Sequence, residues 1–470
     1  MADVARAVAA GDLSFLPEQE LHDWVVAQRW FASKSREVAH LNVLEAAPLR
    51  TEPPLLVLAL VEARFQPGTH EVYQVPLGLR PASEHWTERV IVEVDGWTVY
   101  DALGDPAGAR ELLHRMRSEN EITVEDGVLE FHWASSAGAG LGGTVDVRPV
   151  GAEQSNSSVV FGEELILKAF RRVEPGENPE LELLRFLSSR GFPNIAPLAG
   201  WYEFEGRLVD ATLGILQEYL AGAREGWDLA LDELVSDPAR LLDRLRSLGR
   251  VTGEMHTALG ADASDPAFAP DEPSVESLSL LTATVDEQIE RTFAELPETE
   301  AVAPIAGRGP DVRERLQFLS HIGAGGKVIR THGDYHLGQT MLTQDRGWVI
   351  LDFEGEPARS LPERRLKRSP LRDVAGMLRS FSYAAAGSAI LRGVDAPEDW
   401  EDRAREAYLD GYRQTAEPSL LPPGQQATEQ LLTVFELEKV VYELRYELNN
   451  RPDWVAIPVA GIVRLLESEL

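Results

Sequence analysis

The sequence has 470 residues, of which 44% are hydrophobic and 26% are charged, a composition typical of a globular protein with two or three domains. Its formal net charge of −32 argues against binding to nucleic acid or to an anionic membrane, because both require clustered basic residues. The sequence contains no apolar run long enough for a transmembrane helix, no recognisable signal peptide and no cysteine, so we expect a cytoplasmic protein without disulfides.

Residues 1 to 90 are predicted to form a β-rich N-terminal cap module with one entering helix. The amphipathic pattern predicts that helix over Pro17 to Phe31, and the apolar or alternating segments that follow are typical of strands. The segment from Arg29 to Arg36 mixes aromatic and basic side chains. It either packs the helix end on the sheet or forms a docking surface.

Residues 91 to 222 are predicted to hold an intermediate region and a nucleotide-binding lobe. Ser135 to Gly143 form a Gly-rich link, and several strands follow. Lys168 ends one of these strands, as the phosphate-binding lysine of protein kinases does, and Glu182 on the next helix is the predicted partner of Lys168. The other nucleotide-binding candidates are a polar phosphate-covering loop from Gln154 to Ser158 and a strand end that would contact adenine: Ser155, Asn156, Ser157, Ser158, Gln217, Glu218 and Tyr219.

Residues 223 to 470 are predicted to form a mostly helical lobe around the segment from Arg330 to Pro357. Asp334 and Asp352 lie 18 residues apart in this segment, and Gln339 lies between them. Phosphoryl transfer needs one acid to receive a hydroxyl proton, and an amide with a second acid to hold Mg²⁺. We therefore predict that Asp334 is the catalytic base and that Gln339 and Asp352 are the metal ligands.

The last long predicted helix carries a candidate sugar site. Tyr442 and Tyr446 share one face, Glu443 and Glu447 share the next, and Trp454 follows in a loop. Aromatic rings stack on sugar C–H faces, and carboxylates accept hydrogen bonds from sugar hydroxyls. The alternative is that the tyrosines are core residues and the glutamates are solvated.

Several stretches resemble bacterial maltokinases: HGDYHLGQ from His332, ILDFEGEP from Ile350, SPLRDVAGMLRSFSYAA from Ser369, AEQSNSS, ILKAFRRV with NPELEL, and YELRYE with RPDWVAIP. WVVAQRWFASKSRE extends the resemblance through the first module, so that it covers essentially the whole chain. The resemblance implies an α+β, bilobal protein-kinase-like fold of the aminoglycoside phosphotransferase type with a β-rich N-terminal cap. It also implies ATP and Mg²⁺ as cofactors, transfer of phosphate to maltose to give maltose 1-phosphate for α-glucan synthesis, and association of some members with trehalose synthase.

Carried onto this chain, the resemblance assigns Asp334 as base, Gln339 and Asp352 as Mg²⁺ ligands, and Lys168 with Glu182 as the phosphate-binding pair. His332 would brace the loop. The predicted sugar-binding residues are Asp334, His336, Arg372, Tyr442, Glu443, Tyr446, Glu447 and Trp454. Two other functions stay open: an amino-sugar kinase acting on glucosamine, and a non-catalytic partner that docks to trehalose synthase through the cap. The roles of Glu354 and Glu356, the number of metal ions and the oligomeric state also stay open.

Overall fold

The computed structural model describes residues 2–66, 68–134, 145–150, 155–207, 209–319 and 325–467. It divides the chain into two compact units, one of Met1–Ser188 with Ala196–Ala221 and one of Ser189–Ile195 with Gly222–Leu470. The predicted link from Ser135 to Gly143, and Gln154 of the predicted phosphate loop, lie outside the described residues. Among the described residues, no helix is both long and apolar enough to cross a membrane.

The first unit is built mainly from strands. Its helices and strands are α1 (Ala2–Ala9), α2 (Glu18–Ala27), β1 (Val38–Arg50), β2 (Leu55–Phe65), β3 (His70–Pro81), β4 (Val90–Val94), β5 (Trp97–Asp101), α3 (Pro106–Arg117), β6 (Glu121–Thr123), β7 (Gly127–Trp133), β8 (Val147–Pro149), β9 (Asn156–Phe161), β10 (Leu165–Phe170), β11 (Arg172–Val173), α4 (Pro179–Ser189), β12 (Leu198–Gly206) and β13 (Ala211–Glu218).

The first sheet is antiparallel, with strand order β1-β2-β3-β5-β4, and β11 also pairs with β3. Its strand β2 is an almost unbroken apolar run, because both faces of this strand are buried. Val57 and Ala59 pack in the core beneath α1 and α2, whereas Leu58 and Leu60 pack in a second core with α3 and β7. The sheet continues to Asp101, so the predicted module boundary at residue 90 falls at the start of β4 and is too early.

The second sheet is antiparallel, with order β6-β7-β12-β13-β10-β9-β8. Buried polar contacts tie it to the first sheet. The Gln74 amide donates to the Phe170 carbonyl at 2.7 Å, and the buried Arg171 guanidinium donates to Asp101 Oδ2 at 2.6 Å. The cap sheet and the sheet that carries Lys168 therefore belong to the same compact unit.

The second unit is mostly helical, and a three-stranded antiparallel sheet, β14-β15-β16, lies beside the candidate catalytic loop. Its elements are β14 (Arg224–Glu225), α5 (Gly226–Ser236), α6 (Pro238–Leu259), α7 (Val275–Ala294), α8 (Gly309–Leu319), β15 (Thr340–Leu342), β16 (Trp348–Ile350), α9 (Leu361–Arg364), α10 (Leu371–Gly387), α11 (Trp400–Thr415), α12 (Gln425–Asn450) and α13 (Ala456–Glu467).

Two helices of this unit position the candidate site. The 26-residue helix α12 carries the predicted sugar-binding side chains, and the largely buried helix α10 packs between α12 and the loop that carries Asp334. Gly376 allows α10 to approach this loop closely, since a Cβ atom there would lie 2.7 Å from the Tyr335 carbonyl oxygen.

Candidate functional site

The loop from His332 to Gln339 is anchored from below by a buried carboxylate. Asp373 on α10 accepts hydrogen bonds from the backbone N–H groups of His332 at 2.8 Å and Gly333 at 3.0 Å, and the His256 ring contacts the same carboxylate at 3.1 Å. Burial raises the pKa of Asp373, but the bond from His256 and neighbouring charges more than offset burial, so the net pKa is lowered. Asp373 thus stays ionised and fixes the backbone that presents Asp334.

His332 braces this loop rather than facing the cavity. Its Nε2 atom contacts the Leu351 carbonyl oxygen at 2.8 Å, and its ring packs between Tyr335 and Phe353 at centroid distances of 5.1 and 4.9 Å. Gly333 has φ +89°, a left-handed backbone conformation that favours glycine. The loop can therefore turn tightly between the buried His332 and the accessible Asp334.

The carboxylate of Asp334 is held by a lysine that the sequence analysis did not single out. Lys439 Nζ lies 3.4 Å from Asp334 Oδ1 and 3.6 Å from Glu356 Oε1. Burial lowers the pKa of Lys439, but Asp334, Glu356 and Glu443 raise it more, so the net pKa lies above its ordinary value and the side chain is charged. A signal for Lys439 existed, because it lies one helical turn before Tyr442 and Glu443.

Gln339 and Asp352 lie side by side, with Gln339 Nε2 3.0 Å from Asp352 Oδ2. Asp352 has φ +61°, a strained conformation for a residue other than glycine, and such strain is typical of functional sites. An amide oxygen and a carboxylate are the donors that Mg²⁺ prefers. The two side chains therefore fit the predicted metal site. Nearby Glu356 is engaged by Arg359 at 2.5 Å and by Lys439.

A cavity of about 620 Å³ in the second unit brings together seven of the eight predicted sugar-binding residues. They are Asp334, His336, Tyr442, Glu443, Tyr446, Glu447 and Trp454. The exception is Arg372, which lines a neighbouring cavity of about 60 Å³ and pairs with Glu438 at 2.7 Å. The prediction that Arg372 belongs to the sugar site is therefore wrong for this cavity, because its guanidinium neutralises a different acid of α12.

Aromatic rings form two stacked pairs on the cavity wall. Tyr442 stacks on Tyr446 with ring centroids 6.4 Å apart, and Tyr383 stacks on Trp454 at 6.1 Å. Tyr446 is 44% exposed. Trp227, the second residue of α5, also lines the cavity.

The two glutamates of the cavity are buried and charge-paired. Arg379 donates to Glu443 Oε2 through two nitrogens at 2.9 and 2.8 Å. Arg451 donates to both oxygens of Glu447 at 2.6 and 2.9 Å, and the Tyr383 hydroxyl adds a bond at 2.8 Å. The alternative of core tyrosines and solvated glutamates is therefore wrong for Tyr446, Glu443 and Glu447.

His336 contributes a neutral ring to the same cavity. Its Nδ1 atom accepts a hydrogen bond from the Gly338 backbone N–H at 3.1 Å. Burial is the main cause that lowers the pKa of His336, and it outweighs the opposing effect of Asp334. The ring therefore adds hydrogen-bonding capacity without positive charge near neutral pH.

In the first unit, Lys168 meets a helical carboxylate two residues before the predicted one. Lys168 Nζ lies 2.8 Å from Glu180 Oε2, so the assignment of Glu182 as its partner needs correction. Helix α4 begins at Pro179, and Asn178 Oδ1 accepts a bond from the Glu180 backbone N–H at 2.8 Å. This start places Glu180 in the first turn, and Glu182 is a buried residue further along the helix.

The predicted phosphate-covering loop is mostly strand. Ser155 precedes β9, whereas Asn156, Ser157 and Ser158 lie within it, and Ser158 is directly opposite Lys168 in the register with β10. The prediction of a loop was therefore wrong for these three residues, because polar side chains on a strand next to a sheet edge look like a turn in sequence.

The predicted adenine-contacting segment ends β13. Gln217 and Glu218 close the strand, and Tyr219 follows it. The backbone N–H groups of Glu218 and Tyr219 donate within the unit, to the Pro197 and Glu164 carbonyls at 3.0 and 2.8 Å. The Tyr219 hydroxyl accepts a bond from Arg148 at 3.0 Å.

Comparison with known proteins matches both parts of the chain. Residues 24–105 match the maltokinase N-terminal cap domain, and residues 146–423 match the phosphotransferase enzyme family. A glucosamine kinase from Streptacidiphilus jiangxiensis is 30% identical over 341 residues, covering 69% of this chain and 74% of the relative. A glucosamine kinase from Mycolicibacterium smegmatis is 28% identical over 382 residues, covering 78% of this chain and 90% of the relative.

Solved structures show the same fold. A glucosamine kinase structure superposes with a TM-score of 0.71 at 22% identity, covering 95% of this chain and 99% of that one. Another, in complex with glucosamine, ADP and inorganic phosphate, gives a TM-score of 0.69 at 21% identity and covers 94% and 98% of the two chains. The predicted α+β fold of the aminoglycoside phosphotransferase type with a β-rich cap is confirmed. Together with the anchored Asp334 loop, these matches show that the chain belongs to the phosphotransferase enzyme family, as a maltokinase-like kinase that carries the N-terminal cap.

Proposed function

We propose that this kinase transfers the γ-phosphate of ATP to maltose and forms maltose 1-phosphate. The observation that carries the proposal is the cavity of about 620 Å³, which Asp334 lines together with two stacked aromatic pairs and several hydrogen-bonding groups. Small-molecule sites commonly occupy roughly 300–1,000 Å³, so the cavity has room for a disaccharide.

The proposed reaction is a direct in-line transfer. The C1 hydroxyl oxygen of the sugar forms a bond to the γ-phosphorus, the bond between that phosphorus and ADP breaks, and the hydroxyl proton passes to Asp334. Lys168 would neutralise phosphate charge, and Gln339 with Asp352 would hold Mg²⁺, which supplies further charge neutralisation when bound. Ser155 to Ser158 and Gln217 to Tyr219 stay proposed contacts of ATP.

The charges of the cavity favour a neutral acceptor. Glu443 is neutralised by Arg379 and Glu447 by Arg451, so neither carboxylate is free to bind an ammonium group. The aromatic pairs suit the C–H faces of glucose rings. The match of residues 24–105 to the maltokinase cap domain supports the same assignment.

Glucosamine is the second candidate acceptor. The relatives named above are glucosamine kinases, and Glu225 supplies a cavity carboxylate for which the described part of the chain provides no ion-pair partner. Burial, with a smaller effect of Asp228, raises the pKa of Glu225, and an ammonium group bound beside it would oppose that shift. Docking to trehalose synthase through the cap stays a prediction.

A panel of sugars tests the assignment. The purified protein is incubated with ATP and Mg²⁺ and with maltose, glucose, glucosamine or N-acetylglucosamine. Turnover is followed by ADP release, and the phosphate position is determined by ³¹P and ¹H NMR. We expect the highest kcat/KM with maltose and a phosphate on the C1 oxygen. A higher kcat/KM with glucosamine would replace maltose by the second candidate, and ATP binding without turnover on any sugar would support the non-catalytic alternative.

A further inference from the structure

Lys439 occupies a position that links the catalytic acid to the sugar cavity. It lies on α12, lines the cavity and is 25% exposed at its side chain. Its Nζ atom is 3.4 Å from Asp334 Oδ1 and 5.5 Å from the centroid of the Tyr442 ring. A charge at this point acts both on the reacting group and on any ligand bound beside it.

The way in which Lys439 holds Asp334 suits a carboxylate that must receive a proton. Lys439 contacts Oδ1, and Oδ2 of Asp334 has no hydrogen-bond partner within the described ranges of the chain. An ammonium group is a compact point charge, whereas a guanidinium commonly binds both oxygens of a carboxylate. Lysine therefore fixes the acid and leaves one oxygen for the sugar hydroxyl.

The use of lysine here stands out against the composition of the chain. Only five of its 45 basic residues are lysines, namely Lys34, Lys168, Lys327, Lys367 and Lys439. The neighbouring acids are paired with arginines: Glu443 with Arg379, Glu447 with Arg451, Glu438 with Arg372, and Glu356 with Arg359. Asp334, the acid assigned to the chemistry, differs from them because Lys439 is its partner and no arginine among the described residues pairs with it. Lys439 also contacts Glu356, which Arg359 binds more closely.

The same ammonium group acts on the acceptor. Two positive charges about 6 Å apart repel each other by several RT at an effective dielectric constant of about 20. The ammonium group of an amino sugar whose reacting hydroxyl lies at Asp334 would lie near Lys439. The carboxylates of Asp334 and Glu356, which pair with Lys439, and that of Glu225 in the same cavity reduce this repulsion but leave a net preference for a neutral sugar. A neutral sugar does not encounter this repulsion.

We propose that Lys439 is a positioning and specificity residue: it orients Asp334 through Oδ1, and its charge makes the cavity select neutral sugars over protonated amino sugars. This inference rests on the proposed function, since it assumes that Asp334 accepts the proton of the sugar hydroxyl. Lys439 has two separable effects under this proposal. The orientation of Asp334 depends on the shape of the Lys439 side chain, and the selection of neutral sugars depends on its charge.

The test compares Lys439→Met, which removes the charge, with Lys439→Arg, which keeps the charge and changes the shape. Glucose and glucosamine form a matched pair, because they differ in a hydroxyl against an ammonium group at C2. We measure kcat and KM for maltose, glucose and glucosamine, and the affinity of glucose and glucosamine by calorimetry. Lys367→Met is the control, because Lys367 pairs with Asp271 at 2.7 Å and lies outside the cavity lining.

For Lys439→Met we expect kcat for maltose to fall by about 10- to 100-fold, with a smaller change in KM. This is at or below the roughly 10²- to 10⁴-fold contribution of general acid–base catalysis, because the variant disturbs the orientation of Asp334 and keeps its carboxylate. We also expect the affinity ratio of glucosamine to glucose to rise by about 10-fold, because the variant removes a repulsion that the acids paired with Lys439 only partly offset. Lys439→Arg should lower kcat and leave that ratio close to the wild-type value. Lys367→Met should match the wild type.

The outcomes distinguish this inference from the proposed function. Preference of the wild type for glucosamine would overturn both. Preference of the wild type for neutral sugars, with an unchanged glucosamine-to-glucose ratio in Lys439→Met, would overturn the inference alone. If Lys439→Met does not fold, Lys439→Gln carries the same comparison, since it also removes the charge.

Discussion

Asp334 and Asp373 show how surroundings give two acids of one site different tasks. Asp373 is buried and accepts bonds from two backbone N–H groups, with a third contact from His256. Asp334 is 25% exposed at its side chain and is held through one oxygen by Lys439. Asp373 therefore shapes the loop, and Asp334 keeps an oxygen available for chemistry.

Replacing Asp334 by Asn should abolish most turnover without disturbing the fold. The amide cannot take the hydroxyl proton, and loss of general acid–base help commonly costs about 10²- to 10⁴-fold in rate. We expect kcat to fall by this factor in the ATP-dependent assay with the preferred sugar, with an unchanged circular dichroism spectrum. Asp345→Asn, at an acid whose side chain is 75% exposed, is the matched control. A wild-type rate in Asp334→Asn would remove Asp334 from the role of base.

The neutral His336 ring should make stability fall at mildly acid pH. Because the pKa of His336 in the folded protein lies below its ordinary value of 6.5, the unfolded chain binds the proton more readily than the folded chain does. The free energy of unfolding should therefore decrease as pH falls from 6.5 toward the folded pKa, by at most about 1.4 kcal/mol per pH unit for this one group.

The measurement for His336 is urea unfolding at pH 7.5, 6.5 and 5.5 for the wild type and for His336→Gln. In the glutamine variant, the free energy of unfolding should depend less steeply on pH. His22→Gln is the control, because His22 lies on α2 in the first unit. An equal slope in the wild type and in His336→Gln would show that His336 does not contribute.

At the scale of elements, helix α12 carries more of the residues that line the candidate sugar cavity than any other described element. Lys439, Tyr442, Tyr446 and the buried Glu443 recur at three- and four-residue intervals, so they lie on adjoining faces that the helix turns toward the cavity. The buried side chains of Glu443 and Arg379 also join α12 to α10. One helix thus presents the sugar wall and binds the helix that anchors the catalytic loop.

Breaking the link between α10 and α12 should destabilise the protein strongly. Glu443→Gln leaves the buried Arg379 guanidinium without its countercharge, and breaking a buried pair commonly costs about 3–5 kcal/mol. Urea unfolding should show this loss, whereas the double variant Arg379→Met with Glu443→Met should recover much of it, because no unpaired charge remains. Asp399→Asn removes an exposed pair with Arg403 and should change stability by less than about 0.5 kcal/mol. Equal losses in the single and double variants would contradict this account.

At the scale of the whole molecule, charge is the dominant property. The chain has 77 acidic and 45 basic residues. Most charged side chains of the cavity form ion pairs. The acidic residues in excess of basic ones therefore lie mainly outside the cavity. Like charges repel one another across the surface and destabilise the compact state.

Added salt should therefore stabilise this protein. The Debye length shrinks from about 30 Å at 0.01 M to about 10 Å at 0.1 M salt, which screens the repulsion among acids. We expect Tm, measured by differential scanning calorimetry, to rise by several degrees between 0.01 and 0.3 M NaCl, with most of the rise below 0.1 M. KCl at equal ionic strength is the control and should give the same curve. A Tm that falls with salt would show that attractive ion pairs dominate instead.

The sequence was sufficient for features in which the chemistry lies within a short segment. Asp334, Gln339 and Asp352 fall in one stretch of loop and strand, and the aromatic and acidic residues of α12 fall on one helix, so their proximity follows from local geometry. Partners from distant segments were harder to predict. The sequence pattern favours Glu182 as the partner of Lys168, because the start of α4 cannot be fixed to a residue by pattern alone. It also favours Arg372 as a sugar-binding residue, although in the structure Arg372 pairs with Glu438 of α12.

The sequence by itself determined the fold class, the kinase family and the segment that carries Asp334. The motifs that identify them consist of polar residues at fixed short spacings, so they can be recognised without the tertiary structure. The tertiary structure decided the charge of the site. It placed Lys439 on Asp334 and arginines on Glu443 and Glu447, contacts that span between 4 and 105 residues of chain. Electrostatic interactions depend on distance in space, and that distance is fixed by packing of helices such as α10 and α12.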